Sequence, residues 1–222
     1  ILSAAKKCNI DKVIVTSTSE VYGSAIYVPI DEKHPLQGQS PYSASKIAAD
    51  KLSESFFKSF NLPLVTARPF NTYGPRQSAR AVIPNIITQI LAGDKGLKIG
   101  NLSPIRDFNY VKDVASAFAE LAMCDSAVGQ EVNIASGESV SINELINTIT
   151  NITKVKIEVI EDRSRYRPEA SEVDRLIGDN TKIFSLTDWK PKYSLVDGLK
   201  NTIEWLNQPD NFKKYKSLIY NI

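Results

Sequence analysis

Val13-Ile14-Val15-Thr16-Ser17-Thr18-Ser19-Glu20-Val21-Tyr22-Gly23 is the stretch on which the reading of the fold turns. An apolar, β-branched run leads into a cluster of hydroxyls and then a single carboxylate. A short apolar run bounded by polar residues and preceded by a helix fits a buried parallel strand. The helix is residues 1–9, where Leu2, Ala5 and Lys6 recur at helical spacing and Asn9 can end it. Open α/β sheets collect their binding and catalytic groups just past the C-terminal ends of the strands. Ser17, Thr18, Ser19 and Glu20 stand at such a place. Taken alone, the same stretch also reads as a Ser/Thr-rich turn with Glu20 on the surface.

Downstream, a polar loop carries Pro29, Pro35 and Gly38, and Ser40-Pro41 then opens a helix with Ser as N-cap and Pro at the first helical position. Ala44, Ala48, Leu52, Phe56 and Phe60 recur every four residues, which predicts one buried stripe. Residues 62–68 read as the next strand, 69–79 as a loop and 80–92 as a helix. This β-α-β-α order argues for an α/β fold with a doubly wound parallel sheet. The second part is more mixed. Short strands are expected at 97–99, 107–111, 131–135 and 156–160, and a helix at 113–123. Ser141-Ile142-Asn143-Glu144 is a capping box opening another helix, to about residue 151. Ser194 opens the last helix, with Leu195, Leu199, Ile203 and Leu206 on one face. The tail, 207–222, is basic and aromatic (Lys213, Lys214, Tyr215, Lys216, Tyr220) and reads as a loosely packed terminus.

Composition narrows the function. The chain has 222 residues, 42% of them hydrophobic, enough for a core. Lys plus Arg number 27 and Asp plus Glu 25, for a net charge of +2. So even a balance gives no general pull toward nucleic acid or an anionic membrane. No apolar run is long enough to span a bilayer. Cys8 and Cys124 are too few for a disulfide scaffold or zinc site and read as reduced thiols in a cytoplasmic protein. The one histidine, His34, leaves little room for metal or Ser-His-Asp chemistry. It precedes Pro35 in a loop and is expected to face solvent.

The strongest chemical signal is Tyr42-Ser43-Ala44-Ser45-Lys46, whose Tyr and Lys at i and i+4 share a helix face. A free tyrosine titrates near about 10, too high for a base at neutral pH. A close ammonium and a cationic nicotinamide both stabilise the phenolate. Alone, Tyr-x-x-x-Lys also describes an ordinary solvated helix face.

Together the segments become specific. Ser17 to Gly23, Ser40-Pro41-Tyr42-Ser43-Ala44-Ser45-Lys46 and Arg68-Pro69-Phe70-Asn71-Thr72-Tyr73-Gly74-Pro75-Arg76 occur in order. So do Ile105-Arg106-Asp107-Phe108, Tyr110-Val111-Lys112-Asp113, Asn133-Ile134-Ala135-Ser136-Gly137 and Asp188-Trp189-Lys190-Pro191. The chain, from residue 1 to about 206, thereby resembles the extended short-chain dehydrogenase/reductases, the NAD-dependent epimerase/dehydratase family. Its whole-chain resemblance is nearest to UDP-N-acetylglucosamine 4,6-dehydratases of the legionaminic-acid type, through residues 30–40 and 75–84.

The resemblance implies the C-terminal part of a Rossmann-type sheet in 1–72, a smaller α/β substrate-binding region in 73–206 with segments returning to that sheet, and a tail in 207–222. The family's glycine-rich turn is not seen: Gly93 to Gly100 follows a helix and precedes a strand, and reads as a helix C-terminal turn. The chain opens inside a helix and without Met. The first βα units, on the order of 100 residues, are therefore expected to be absent, and this chain alone is expected to be inactive.

The resemblance further implies NAD as cofactor, bound through Ser17, Tyr42, Lys46, Pro69 and Phe70, the last two by backbone position. It implies Thr18, Ser19, Glu20, Tyr42 and Lys46 as catalytic residues, and no metal. Asn71, Arg80, Arg106, Asn133 and Arg175 are implied to bind a UDP-sugar. Arg163, Arg165 and Arg167 read either as a solvated loop or as cations for the diphosphate.

A carboxylate at Glu20 suits a second proton transfer, from C5 of a 4-keto sugar, which points to a 4,6-dehydratase. UDP-hexuronic acid decarboxylation, 4-epimerisation and a non-catalytic nucleotide-binding module stay open. Thymidine-diphosphoglucose dehydratases carry Asp where this chain has Ser19, so either Glu20 does both jobs or Ser19 or a water relays the proton to the C6 leaving group. A homodimer is implied, paired through the Tyr/Lys helix, with Phe56 and Phe57 contributing apolar area.

Overall fold

A computed structural model describes residues 1–166 and 173–215. The helices are α1 (Leu2–Lys7), α2 (Pro41–Phe60), α3 (Val82–Ala92), α4 (Val111–Met123), α5 (Ile142–Thr153), α6 (Thr181–Leu186), α7 (Leu195–Asn207) and α8 (Pro209–Phe212). The strands are β1 (Val13–Thr16), β2 (Leu64–Pro69), β3 (Asn71–Tyr73), β4 (Gly96–Ile99), β5 (Ile105–Arg106), β6 (Phe108–Tyr110), β7 (Glu131–Ile134), β8 (Val140–Ser141), β9 (Glu158–Glu161) and β10 (Arg175–Leu176).

The central sheet runs β1-β2-β7, all parallel, with Val13 opposite Leu64 and Thr66 opposite Glu131. Parallel strands need crossover connections, and α2 supplies the one between β1 and β2. Val65, Ala67, Val132 and Ile134 of the sheet pack against Val114, Ala117 and Leu121 of α4, with Trp189 closing the cluster. A second core joins the isoleucines of α3 and α5 to Leu97, Tyr73, Tyr110 and Leu199. Gly198 on α7 lets that helix approach, because a Cβ there would fall on the Tyr73 hydroxyl. No helix among the described residues is long and apolar enough to cross a membrane.

Local signals formed as read. Ser40 and Ser43 make a reciprocal cap on α2, Ser141 and Glu144 another on α5, and Ser194 caps α7. Gly93 ends α3 in the left-handed region at φ 73°.

Three expectations need correction. The stripe on α2 is not buried: Ala44, Ala48, Leu52 and Phe60 are exposed. The face turned inward carries Ser43, Asp50 and Ser53 instead, because it lies over a buried arginine, Arg68, rather than over an apolar sheet face. Phe56 and Phe57 pack inside the chain, on the cluster of Ala5, Leu62 and Leu64. His34 is buried, not solvent-facing. Its Nε2 accepts from the Ile26 N–H (2.9 Å), its Nδ1 is 2.9 Å from the Pro35 carbonyl, and Tyr22 and Tyr27 flank the ring. Neighbours from its own loop and the turn after β1 bury it, which no local pattern announces. The tail is anchored as far as Tyr215, whose ring meets Trp205. Arg167, Lys216 and Tyr220 lie outside the described residues.

Candidate active site

Two cavities, of about 320 and 340 Å³, meet at the C-terminal end of the sheet. They share Glu20, Asn71 and Arg106. The first is lined by Gln77, Arg80, Phe108 and Arg165 among others, and the second by Gly23, Gln39, Ser40, Ser43 and Leu176.

The turn after β1 sets Glu20 at this junction. Thr18 is the N-cap of a single 3₁₀ turn, Ser19–Tyr22, and its Oγ1 accepts from the Glu20 N–H at 3.2 Å. That leaves the Thr18 O–H to donate elsewhere. The turn ends at Gly23, at φ 62°, where a Cβ would come within 2.8 Å of Gln37 Cβ. Only glycine suits both the backbone and the space. Ser17 Oγ is buried with no hydrogen-bond partner. Ser19 is buried beside it.

Across from the turn, α2 presents Tyr42, half exposed, and Lys46, whose Nζ donates to the Thr16 carbonyl at 2.6 Å. Lys46 is thus tied to the end of β1, one helical turn from Tyr42. Pro69 ends β2 opposite Ile134. The Phe70 ring belongs to the core against Tyr22, so only its backbone could border a ligand.

The other expected residues separate. Asn71 and Arg106 stand at the junction, and Arg80 lines the first cavity. Arg165 does too, held by donation to the Lys98 carbonyl (2.8 Å) and an ion pair with Asp162 (3.3 Å). Arg175 is exposed on β10 and is not among the lining residues, whereas its neighbours Val173 and Leu176 line the second cavity.

Asn133 is fully buried and lines neither cavity. Its Oδ1 accepts from Tyr22 Oη (2.7 Å), its Nδ2 donates to the Ile30 carbonyl (3.0 Å), and its backbone N–H donates to Glu32 (2.8 Å). Arg68 extends this network by donating to Tyr22 Oη (3.1 Å) and pairing with Asp50 (3.0 Å). Burial pushes the Tyr22 phenol up to about 12, so it stays a neutral donor.

Two further motifs are junctions of the fold. The buried Asp107 carboxylate accepts from Asn109, from the Ser136 hydroxyl and N–H, and from the Gly137 and Gly178 N–H groups. Asp113 accepts from the Lys192 and Tyr193 N–H groups, while Trp189 Nε1 donates to its carbonyl. Sequence reading missed Gln77, which lines the first cavity with an unpartnered, buried Oε1. No segment pattern marks it.

A parallel sheet that ends in this hydroxyl-carboxylate turn, faced by Tyr42 and Lys46, defines an extended short-chain dehydrogenase/reductase. The family model described as GDP-mannose 4,6 dehydratase matches residues 1–202. A putative UDP-glucose 4-epimerase of Methanocaldococcus jannaschii is 33% identical, over 93% of this chain and 66% of its own. The dTDP-D-glucose 4,6-dehydratase of Mus musculus is 31% identical, over 98% and 61%. Among solved structures, dTDP-glucose 4,6-dehydratase from Bacillus anthracis in complex with NAD superposes with a TM-score of 0.85 at 30% identity, covering 97% of this chain and 68% of that one. The chain therefore belongs to the GDP-mannose 4,6 dehydratase family of NAD-dependent epimerases and dehydratases. It spans about two thirds of the length of these relatives.

Proposed function

We propose that this chain carries the catalytic and substrate-binding part of an NAD-dependent nucleotide-sugar 4,6-dehydratase, with UDP-N-acetylglucosamine as substrate. The observation that carries the reading is Glu20, a carboxylate lining both cavities where they meet, on the same turn as Thr18. A 4-epimerase has no use for a base at C5; a dehydratase requires one.

The residues at the strand ends suit a nicotinamide. Ser17 Oγ is an orphaned buried hydroxyl, and Lys46 is fixed beside it at the Thr16 carbonyl. Ser17, Tyr42 and Lys46 would hold NAD, which would supply an acceptor for the C4 hydride and its donor at C6. Tyr42, as phenolate beside the Lys46 ammonium, takes the proton of the C4 hydroxyl. The Thr18 O–H donates to the C4 oxygen and holds it in line. The C4 ketone acidifies C5–H, and Glu20 takes that proton as the C6 hydroxyl leaves as water. Ser19 or Glu20 returns a proton to that leaving group, and C5 takes a proton from solvent, through the Glu20 carboxyl, as the hydride returns to C6. Arg80, Arg106 and Arg165 supply cations for a diphosphate in the first cavity.

The sugar end favours a neutral C6. Among the described lining residues of the second cavity, Arg106 is the only cation, and it stands with the Glu20 carboxylate. A uronic acid would place a second carboxylate there, at a cost. The exposed Ala48, Leu52 and Phe60 of α2 support pairing of two copies through this helix. The test is incubation of the complete natural polypeptide with UDP-N-acetylglucosamine and NAD⁺, read by product mass. A product lighter by one water, with no net NADH, is the expected result. An unchanged mass with an inverted C4 would move the reading to epimerase, and carbon dioxide release from a UDP-hexuronic acid would move it to decarboxylase.

A further inference from the structure

The loop between β3 and α3 forms one wall of the first cavity through Gln77, Arg80 and Ala81. Its conformation is unusual for its sequence. Arg76 stands at φ 70°, a left-handed backbone that non-glycine residues seldom adopt. Two contacts within the loop help hold it: the Gln77 N–H donates to the Gly74 carbonyl (3.2 Å), and Gln77 Nε2 donates to the Thr72 carbonyl (2.8 Å). A third comes from far along the chain. Tyr215 Oη donates to the Gln77 carbonyl at 2.7 Å, across a separation of 138 residues. The Tyr215 ring is itself set edge-on against Trp205 of α7, centroids 6.2 Å apart. Strain of this kind persists only where the surroundings over-determine it. The C-terminal segment is thus part of what fixes the wall. One amide N–H of Gln77 is engaged at the Thr72 carbonyl, and its Oε1 is buried without a partner among the described residues. A buried acceptor left open at a cavity wall is satisfied at least cost by a ligand donor.

We propose that Tyr215 is a positioning residue for the substrate pocket: it clamps the Gln77 carbonyl from behind, so that the Gln77 amide oxygen is held ready to accept from a hydroxyl or N–H of the nucleotide sugar. The reading of Gln77 rests on the proposed function; the clamp does not. Two variants of the complete polypeptide separate these parts.

Tyr215→Phe keeps the ring and removes the donor. Amide hydrogen exchange in residues 74–81 should speed up with the melting temperature essentially unchanged. Affinity for UDP-N-acetylglucosamine, read by calorimetry, should weaken by about three- to tenfold, and KM should rise while kcat holds. Unchanged exchange in 74–81 would overturn the clamp.

Gln77→Leu removes the acceptor and keeps the backbone carbonyl. It also removes the Nε2 donor to the Thr72 carbonyl, so exchange in 74–81 should rise as well, and it should weaken the same affinity by more than Tyr215→Phe does, because the acceptor itself is gone. Unchanged affinity would overturn the role of Gln77. If wild type binds neither UDP-N-acetylglucosamine nor dTDP-glucose, the proposed function fails, and the clamp still stands or falls by the exchange result.

Discussion

Two groups of polar residues lie within one sheet's reach and are treated oppositely by the fold. In the Tyr22–Asn133–Arg68–Asp50 network, every side chain is buried and held by at least one internal partner, and Asp50, paired with Arg68 through Oδ2, keeps its Oδ1 without a partner among the described residues. Along the cleft, Ser17, Asn71 and Gln77 each keep a buried oxygen with no partner, and Glu20 faces both cavities. The two groups interleave along the chain: Glu20 and Tyr22 are two residues apart, and Arg68 and Asn71 three. A polar residue in a motif therefore has two distinct reasons to be there. One tied to a distant side chain holds elements together, and one that lines a cavity with an open polar atom is placed to meet a ligand.

The contrast can be broken at its strongest point with Glu20→Gln. Loss of a general base should lower kcat by about a hundred- to ten-thousandfold, with thermal stability unchanged because, among the described residues, only the Glu20 backbone and not its carboxylate is hydrogen-bonded within the fold. A fall in stability matching the fall in rate would place Glu20 with the structural group. Asp50→Ala should do the reverse. It strands the buried Arg68 guanidinium, a change that costs on the order of 3–5 kcal/mol in urea unfolding. Asn133→Ala sharpens the boundary between the groups. It should cost about 1–3 kcal/mol while nucleotide-sugar affinity of the folded protein stays at the wild-type value; a selective loss of affinity would return Asn133 to the ligand.

The smallest effect is a pH dependence. Burial holds the Glu32 carboxyl above the usual carboxylate range. Stability from such a group is present at low pH and lost as pH rises through its folded-state value. Glu32→Gln keeps an acceptor for the Asn133 N–H and removes the buried charge. It should raise the melting temperature at neutral pH, with the gain disappearing near about pH 4, where the carboxyl is already protonated. A gain that persists at low pH would refute the assignment.

Much of the fold was legible because its signals are local. Ser40-Pro41, Ser141 with Glu144, and Ser194 each cap a helix with atoms three residues apart. The Thr18–Glu20 turn was legible for the same reason. What was misread depends on distant contacts. The repeat of Ala44, Ala48 and Leu52 announces an apolar face but not what lies against it, and all three are exposed. The motif around Asn133 implies a ligand contact and gives no sign that Tyr22, 111 residues earlier, holds its side chain. Gln77 and Tyr215 could not be paired by any spacing rule. Short α6 carried too few residues for a periodic signal.

The central claim is that Glu20 takes the C5 proton of a 4-keto nucleotide sugar. The most direct test is to run the complete polypeptide with UDP-N-acetylglucosamine and NAD⁺ in deuterated water and locate deuterium in the product. The account predicts a product lighter by one water with solvent deuterium at C5, formed by wild type and lost in Glu20→Gln. A C4-inverted product of unchanged mass, with no deuterium on carbon and no dependence on Glu20, would contradict it.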